Sequence, residues 1–180
     1  MRQICRIGLL LIVVCLAAVP AVRAEPVVEA AFDLAIARFE AARPALGSDF
    51  AGVDIAAYRD ALTLRRFASR HWGGTNALAV LTPGAGEAAC ARYAAFVRIP
   101  PRQGSVALAF CPEFLGAGTP DLRALTVLHE MVHVVAGADE CRAMAFAARV
   151  EVLATGRFTD VGRYWRANGC DASPFSLPEF

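Results

Sequence analysis

The sequence predicts an α+β domain, and three observations lead there. Apolar residues recur at helical spacing near the start of the chain, a middle stretch rich in Gly, Pro and β-forming residues breaks that pattern, and two apolar helical stretches follow it. With 57% hydrophobic residues in 180, and no repeat or low-complexity linker, the chain has material for one domain with a real core.

An address precedes the domain. Arg2 and Arg6 lead into an apolar run from Ile7 to Val19, and Val22-Arg23-Ala24 puts small residues at the two positions a signal peptidase reads. Residues 1–24 therefore read as a secretory signal and residues 25–180 as the single mature domain. The run is short for a membrane span and Pro20 ends it, so no membrane attachment is expected after cleavage. Cys15 follows Val13-Val14 rather than a small residue, which argues against lipoprotein processing. Losing Arg2, Arg6 and Arg23 with no acid takes the formal charge from +1 to −2, a balance that offers no basic surface to nucleic acid. All 18 basic residues are arginine.

Within the domain, Val28, Ala31, Phe32, Ala35, Ile36 and Phe39 define a first helix over 27–42, stopped by Arg43-Pro44. A second is expected over 53–68, with Asp54 near its start. His71-Trp72-Gly73-Gly74 ends the helical pattern. Strands are expected over 77–81, 89–99 and 105–111, with Pro100-Pro101-Arg102-Gln103-Gly104 as the turn between the last two. Cys111-Pro112-Glu113-Phe114 closes the sheet and 116–120 forms a loop. Thr119 or Asp121 then caps a helix with Pro120 at or near its first position, which Gly137 stops. Asp139 caps a last helix to about Ala154, with Cys141, Met144, Ala145, Ala148 and Val152 on one face. The tail from Phe158 to Phe180 reads as irregular, folded back and pinned by Cys170.

The penultimate helix carries His129-Glu130-Met131-Val132-His133, which spends two of the chain's three histidines on one turn. Positions i and i+4 lie about 40° apart around a helix and about 6 Å along it, so both imidazoles face one way and can clamp a metal. Glu130 projects beside the clamp, where a carboxylate can take a proton from a metal-bound water. The neighbours Leu125, Val127, Leu128, Met131, Val132, Val134, Val135 and Ala136 make the helix apolar nearly all round and therefore buried. Unpaired polar groups are costly there, and a divalent cation with its water would satisfy all three. The bland alternative is two core histidines bonded to backbone or to Glu130.

A catalytic zinc generally takes three protein ligands and keeps one position for water. His71, the remaining histidine, is far upstream, so the third ligand is sought among carboxylates after Gly137. Asp139 has a sufficient structural task as a helix cap. Glu140 has the longer reach and is preferred, with Asp139 as the alternative. Four cysteines remain after signal removal, Cys90, Cys111, Cys141 and Cys170, and an even count in an exported chain favours two disulfides. Three pairings are possible. Cys90 with Cys111 and Cys141 with Cys170 is preferred, because each then joins segments framing the metal helix.

The run from Val106 to Phe114, the helix motif Leu128-His129-Glu130-Met131-Val132-His133, and Gly137-Ala138-Asp139-Glu140 together resemble the deuterolysin and lysine-specific metalloendopeptidase group of zincins, the aspzincins. Those proteins show a strand ending in Cys-Pro-x-Phe, an HExxH helix, and a Gly-Thr motif followed by an Asp ligand and a Tyr. The resemblance covers about 70–148, and implies a small zincin-like domain that hydrolyses peptide bonds. It implies zinc held by His129, His133 and Glu140, with Glu130 as catalytic base. Three departures stand out: Gly137-Ala138 replaces Gly-Thr, the spacer after His133 is short, and Ala143 falls where the family has tyrosine. Tyr93 and Tyr164 are the candidate substitutes for that tyrosine. A glutamate ligand also fits a small gluzincin-like peptidase.

The expected protein is thus a monomeric zinc metalloendopeptidase, exported to a bacterial periplasm or the exterior, acting on a peptide or protein substrate. The alternative of another class is an exported, non-catalytic metal-binding or protein-binding module on a zincin scaffold.

Overall fold

The computed structural model describes residues 26–84 and 86–179, and the predicted signal segment lies outside them. The chain opens with helix α1 (Pro26–Ala42), and a two-stranded ribbon of β1 (Asp49–Phe50) and β2 (Val53–Asp54) leads into α2 (Ile55–Leu62). A four-stranded mixed sheet follows, built from β3 (Phe67–Ala68), β4 (Thr75–Leu81), β5 (Ala95–Arg102) and β6 (Ser105–Phe110). Its order is β3-β4-β6-β5, with β4 parallel and β5 antiparallel to β6. The helices α3 (Pro112–Gly116), α4 (Pro120–Ala136), α5 (Glu140–Thr155) and α6 (Gly162–Ala167) complete an α+β architecture.

The side chains of β6 show which face of the sheet is buried. Val106, Leu108 and Phe110 on β6 are fully buried, β6 packing against α4 and Phe110 meeting Phe32 of α1 at 6.0 Å between ring centroids. On α1, Val28, Ala31, Phe32, Ala35 and Phe39 form the inward stripe, and α4 and α5 pack along it. Tyr58 of α2 is wedged between Phe39 and Phe146, ring centroids 4.9 and 4.6 Å apart, and it too is fully buried. Removing a side chain such as Phe39, Tyr58 or Phe146 from water contributes about 1.5–3 kcal/mol before the entropy of ordering it.

Four expectations need correction. The second helix covers 55–62, not 53–68. Asp54 does cap it, accepting from the amides of Ala56 and Ala57 at 3.0 Å, but Leu64 takes φ +57°, which a helix cannot continue. Phe67 and Ala68 then pair with Asn76 and Thr75 as β3. The segment expected as a strand over 89–99 begins as a 3-10 turn, Ala88–Ala91, and extends only from Ala95. That strand runs on through Pro100 and Pro101, which an edge strand tolerates. The turn is the two-residue Gln103-Gly104, both with positive φ. Lastly, the tail is not wholly irregular, since it holds α6 and a 3-10 turn over Cys170–Ala172.

Both preferred disulfides are present, Cys90–Cys111 and Cys141–Cys170. They fit an oxidising, exported environment. No described helix is long and apolar enough to cross a membrane.

Candidate metal centre

Helix α4 is started and stopped by side chains from several parts of the molecule. Of the two predicted caps Thr119 is the one used, accepting from the Leu122 amide at 3.2 Å, and Pro120 occupies the first turn. At the other end four carbonyls lack helical partners, and all four are met. The Gly137 amide donates to His133 O (3.3 Å), Trp72 Nε1 to Val134 O (2.8 Å), Ser69 Oγ to Val135 O (3.1 Å) and Arg142 Nη1 to Ala136 O (2.8 Å). Midway, the buried Tyr58 hydroxyl donates to Leu128 O at 2.7 Å, one residue before the first histidine.

The chain leaves α4 through Gly137 at φ +88°, ψ −172°, a region closed to residues with a side chain. Space closes it as well, because a Cβ there would lie 2.4 Å from His71 Nε2. This one turn brings the start of α5 back beside α4. Asp139 then caps α5, accepting from the Arg142 amide at 2.9 Å, and Glu140 reaches across to the histidines.

His129, His133 and Glu140 converge, with one ligand-type atom from each lying within 4.8 Å of the others. His129 Nε2 is 3.1 Å from Glu140 Oε2 and 3.1 Å from His133 Nε2, which is 3.5 Å from Glu140 Oε1. His133 Nδ1 lies 2.9 Å from Gly137 O, and a carbonyl can only accept, so Nδ1 carries a proton and Nε2 is the atom turned to the cluster. The same turn that delivers Glu140 therefore orients His133.

Glu130, next in sequence to His129, is 9% exposed and interacts electrostatically with both histidines and with Glu140. Burial pushes its pKa up, the two imidazoles pull it back, and Glu140 adds to the rise. Glu140 goes the other way. Its contacts with His129 and then His133 hold its carboxyl far below the usual range, against a smaller effect of burial. For His133, burial disfavours the charged ring, yet Glu140, Glu130 and the Gly137 carbonyl together raise its pKa above the ordinary value. Two imidazoles and one carboxylate at this spacing form a group that could hold a metal ion.

The structure brings together the three predicted ligands and places Glu130 beside them. Asp139 serves as the cap, which leaves Glu140 as the carboxylate at the cluster. His71 stays exposed, edge-on to Trp72 at 4.3 Å and against Gly137. Tyr93 and Tyr164 are 52% and 71% exposed, and no described contact joins either to the cluster; Ala143 is buried. The parts that sequence reasoning missed are the holders: Ser69, Trp72 and Tyr58, which act on carbonyls more than sixty residues away in the chain, and Arg142, which acts across the turn on Ala136. No local pattern marks such roles.

No protein-family model matches the chain, and no curated protein or solved structure shows significant similarity to it. A functional reading therefore rests on the residues and their geometry.

Proposed function

We propose that the chain is an exported zinc-dependent peptidase. The observation that carries the reading is the convergence of His129, His133 and Glu140, with the buried Glu130, next in sequence to His129, near enough to act electrostatically on both imidazoles. His129 and His133 would hold the metal through Nε2 and Glu140 through its carboxylate. A bound zinc ion supplies a Lewis acid and lowers the pKa of its water. Glu130, whose burial raises its proton affinity, would be the base that takes a proton from the attacking water and returns it to the leaving amine. The outer edge of β5 is unpaired among the described strands, and β5 packs against α4. An extended peptide can pair there along 95–99, before Pro100 and Pro101 withdraw their donors.

The second reading, a metal-binding or protein-binding module without turnover, is favoured by one observation: Ala143 stands where the resembling family has tyrosine, and no exposed phenol replaces it at the cluster. Cleavage of an unfolded protein, lost on chelation and restored by zinc, separates the two. Glu130→Gln should keep zinc and fold while turnover falls by roughly a hundred to ten thousandfold, the usual contribution of a general base. Zinc binding with no cleavage by the wild type would favour the module.

A further inference from the structure

Glu140 is the first residue of α5 and its side chain is about half exposed, so its own packing does not fix it. First turns of helices fray when nothing ties them down. Here the turn is tied from the far end of the chain. Cys141, the next residue, is bridged to Cys170. Arg142 lays its guanidinium over the Phe175 ring, 5.5 Å from the centroid, while donating to Ala136 O at the end of α4. Its Nε is buried without a partner, so ring and carbonyl, not an ion pair, hold the group. Beneath these links Met144, Ala145, Trp165 and Cys170 form a small core apart from the main one, closed by Cys141, Val161, Phe175 and Leu177. Trp165 Nε1 is in turn anchored on Asp171 at 2.9 Å.

We propose that the C-terminal segment 161–177 is the positioning element for Glu140: through the Cys141–Cys170 bridge and the Arg142–Phe175 contact it holds the carboxylate at the two histidines. Metal affinity is then set by a segment that contributes no ligand. The inference rests on the metal reading of the cluster, not on peptidase activity. Groups that orient metal ligands typically change affinity by about 10–100-fold, and the bridge should fall in that range.

The test is a cycle read as zinc affinity by competition with a chromophoric chelator. Cys141→Ser/Cys170→Ser in the full mature chain should weaken zinc by about 10–100-fold. The same change added to Glu140→Ala should weaken it no further, because the ligand being positioned is gone. Cys90→Ser/Cys111→Ser should leave affinity unchanged. Wild-type affinity in the Cys141/Cys170 variant, or an equal loss with and without Glu140, overturns the positioning role and leaves the metal site standing. No zinc binding by the wild type overturns both. If melting shows that the bridge variant does not fold, Phe175→Ala and Arg142→Gln in the bridged protein enter the same cycle. Each should lose affinity only when Glu140 is present.

Discussion

The two sides of the candidate metal centre are held in different ways. His129 and His133 sit on a helix buried over most of its length, one ring locked by the Gly137 carbonyl and the helix end satisfied by Ser69 and Trp72 from one loop and by Arg142 of α5. Glu140 stands half exposed on the far side of one glycine turn, in the first turn of its helix, beside a cap, a disulfide and a cation–π contact. The direction of the histidines follows from helical period alone. The direction of the carboxylate follows from how distant segments close. The difference assigns rigidity to the imidazole side and adjustability to the carboxylate side.

The ligand substitutions test that contrast most strongly. His129→Ala or His133→Ala should lower zinc affinity by more than the ~10–100-fold typical of groups around a ligand, since each removes a preset donor. Glu140→Ala should cost less, because a carboxylate that must be held in place contributes less net free energy than a donor already oriented. Chelator competition on the three variants decides. A loss at Glu140 equal to that at the histidines would end the distinction.

Next in size is the hinge. Gly137→Ala forces a side chain into a backbone region that costs roughly 1–3 kcal/mol, and into overlap with His71 Nε2. At about 2–4 °C per kcal/mol for a domain of this length, thermal unfolding should drop by several degrees. Zinc affinity should fall with it, as the turn carries both Glu140 and the His133 partner. Adding His71→Gly should recover the part due to overlap and leave the part due to φ. Full recovery would mean that the backbone at 137 is unstrained, and that space alone requires glycine.

What the sequence made legible divides along the same line. The HExxH clamp, the Thr119 cap, the Gly137 stop and the burial of α4 are local or periodic features, and each stands where the residues predict it. Reach and the cap task of Asp139 favour position 140 over 139, but what holds Glu140 at the histidines is the turn at Gly137 and the packing of Arg142, which no spacing encodes. The overextended second helix has the same origin. Leu62, Leu64 and Phe67 continue an apolar pattern, but Thr63 turns its hydroxyl back onto Arg59 O (2.8 Å), Leu64 reverses the chain, and Phe67 is taken by strand β4. Pairing with a later strand overrides a local preference.

A smaller effect separates the two acids. Asp139→Ala removes the oxygen that accepts from the Arg142 amide, and losing such a cap costs about 1 kcal/mol. Stability should fall by about that much, while zinc affinity falls less than in Glu140→Ala. Denaturant unfolding and zinc titration of both variants give the comparison. The opposite order of zinc losses would transfer the ligand role to Asp139 and leave Glu140 as an ion-pair partner.

The smallest expected effect concerns Glu130 in the metal-free protein, and its sign is fixed by burial. A carboxyl whose folded pKa lies above its unfolded value is harder to ionise in the fold, so its charge opposes folding once pH exceeds the ordinary carboxylate range. Below that range the group is protonated in both states and the penalty vanishes. Metal-free Glu130→Gln should therefore melt above the metal-free wild type at neutral pH, with the gain shrinking to nothing as pH falls through the ordinary value. Glu140 behaves oppositely: its depressed pKa stabilises the fold above the ordinary value, and that contribution is lost on acidification, so Glu140→Gln should lower the neutral-pH melting temperature. Adding zinc should flatten the Glu130 slope, because a cation beside Glu130 offsets its buried charge, and should widen the gap between wild type and Glu140→Gln, because only the wild type keeps the full ligand set and metal binding displaces protons. A Glu130→Gln variant no more stable than wild type at neutral pH would mean that its carboxylate is already compensated without metal. The strongest reason to place a cation and its water beside it would then be gone.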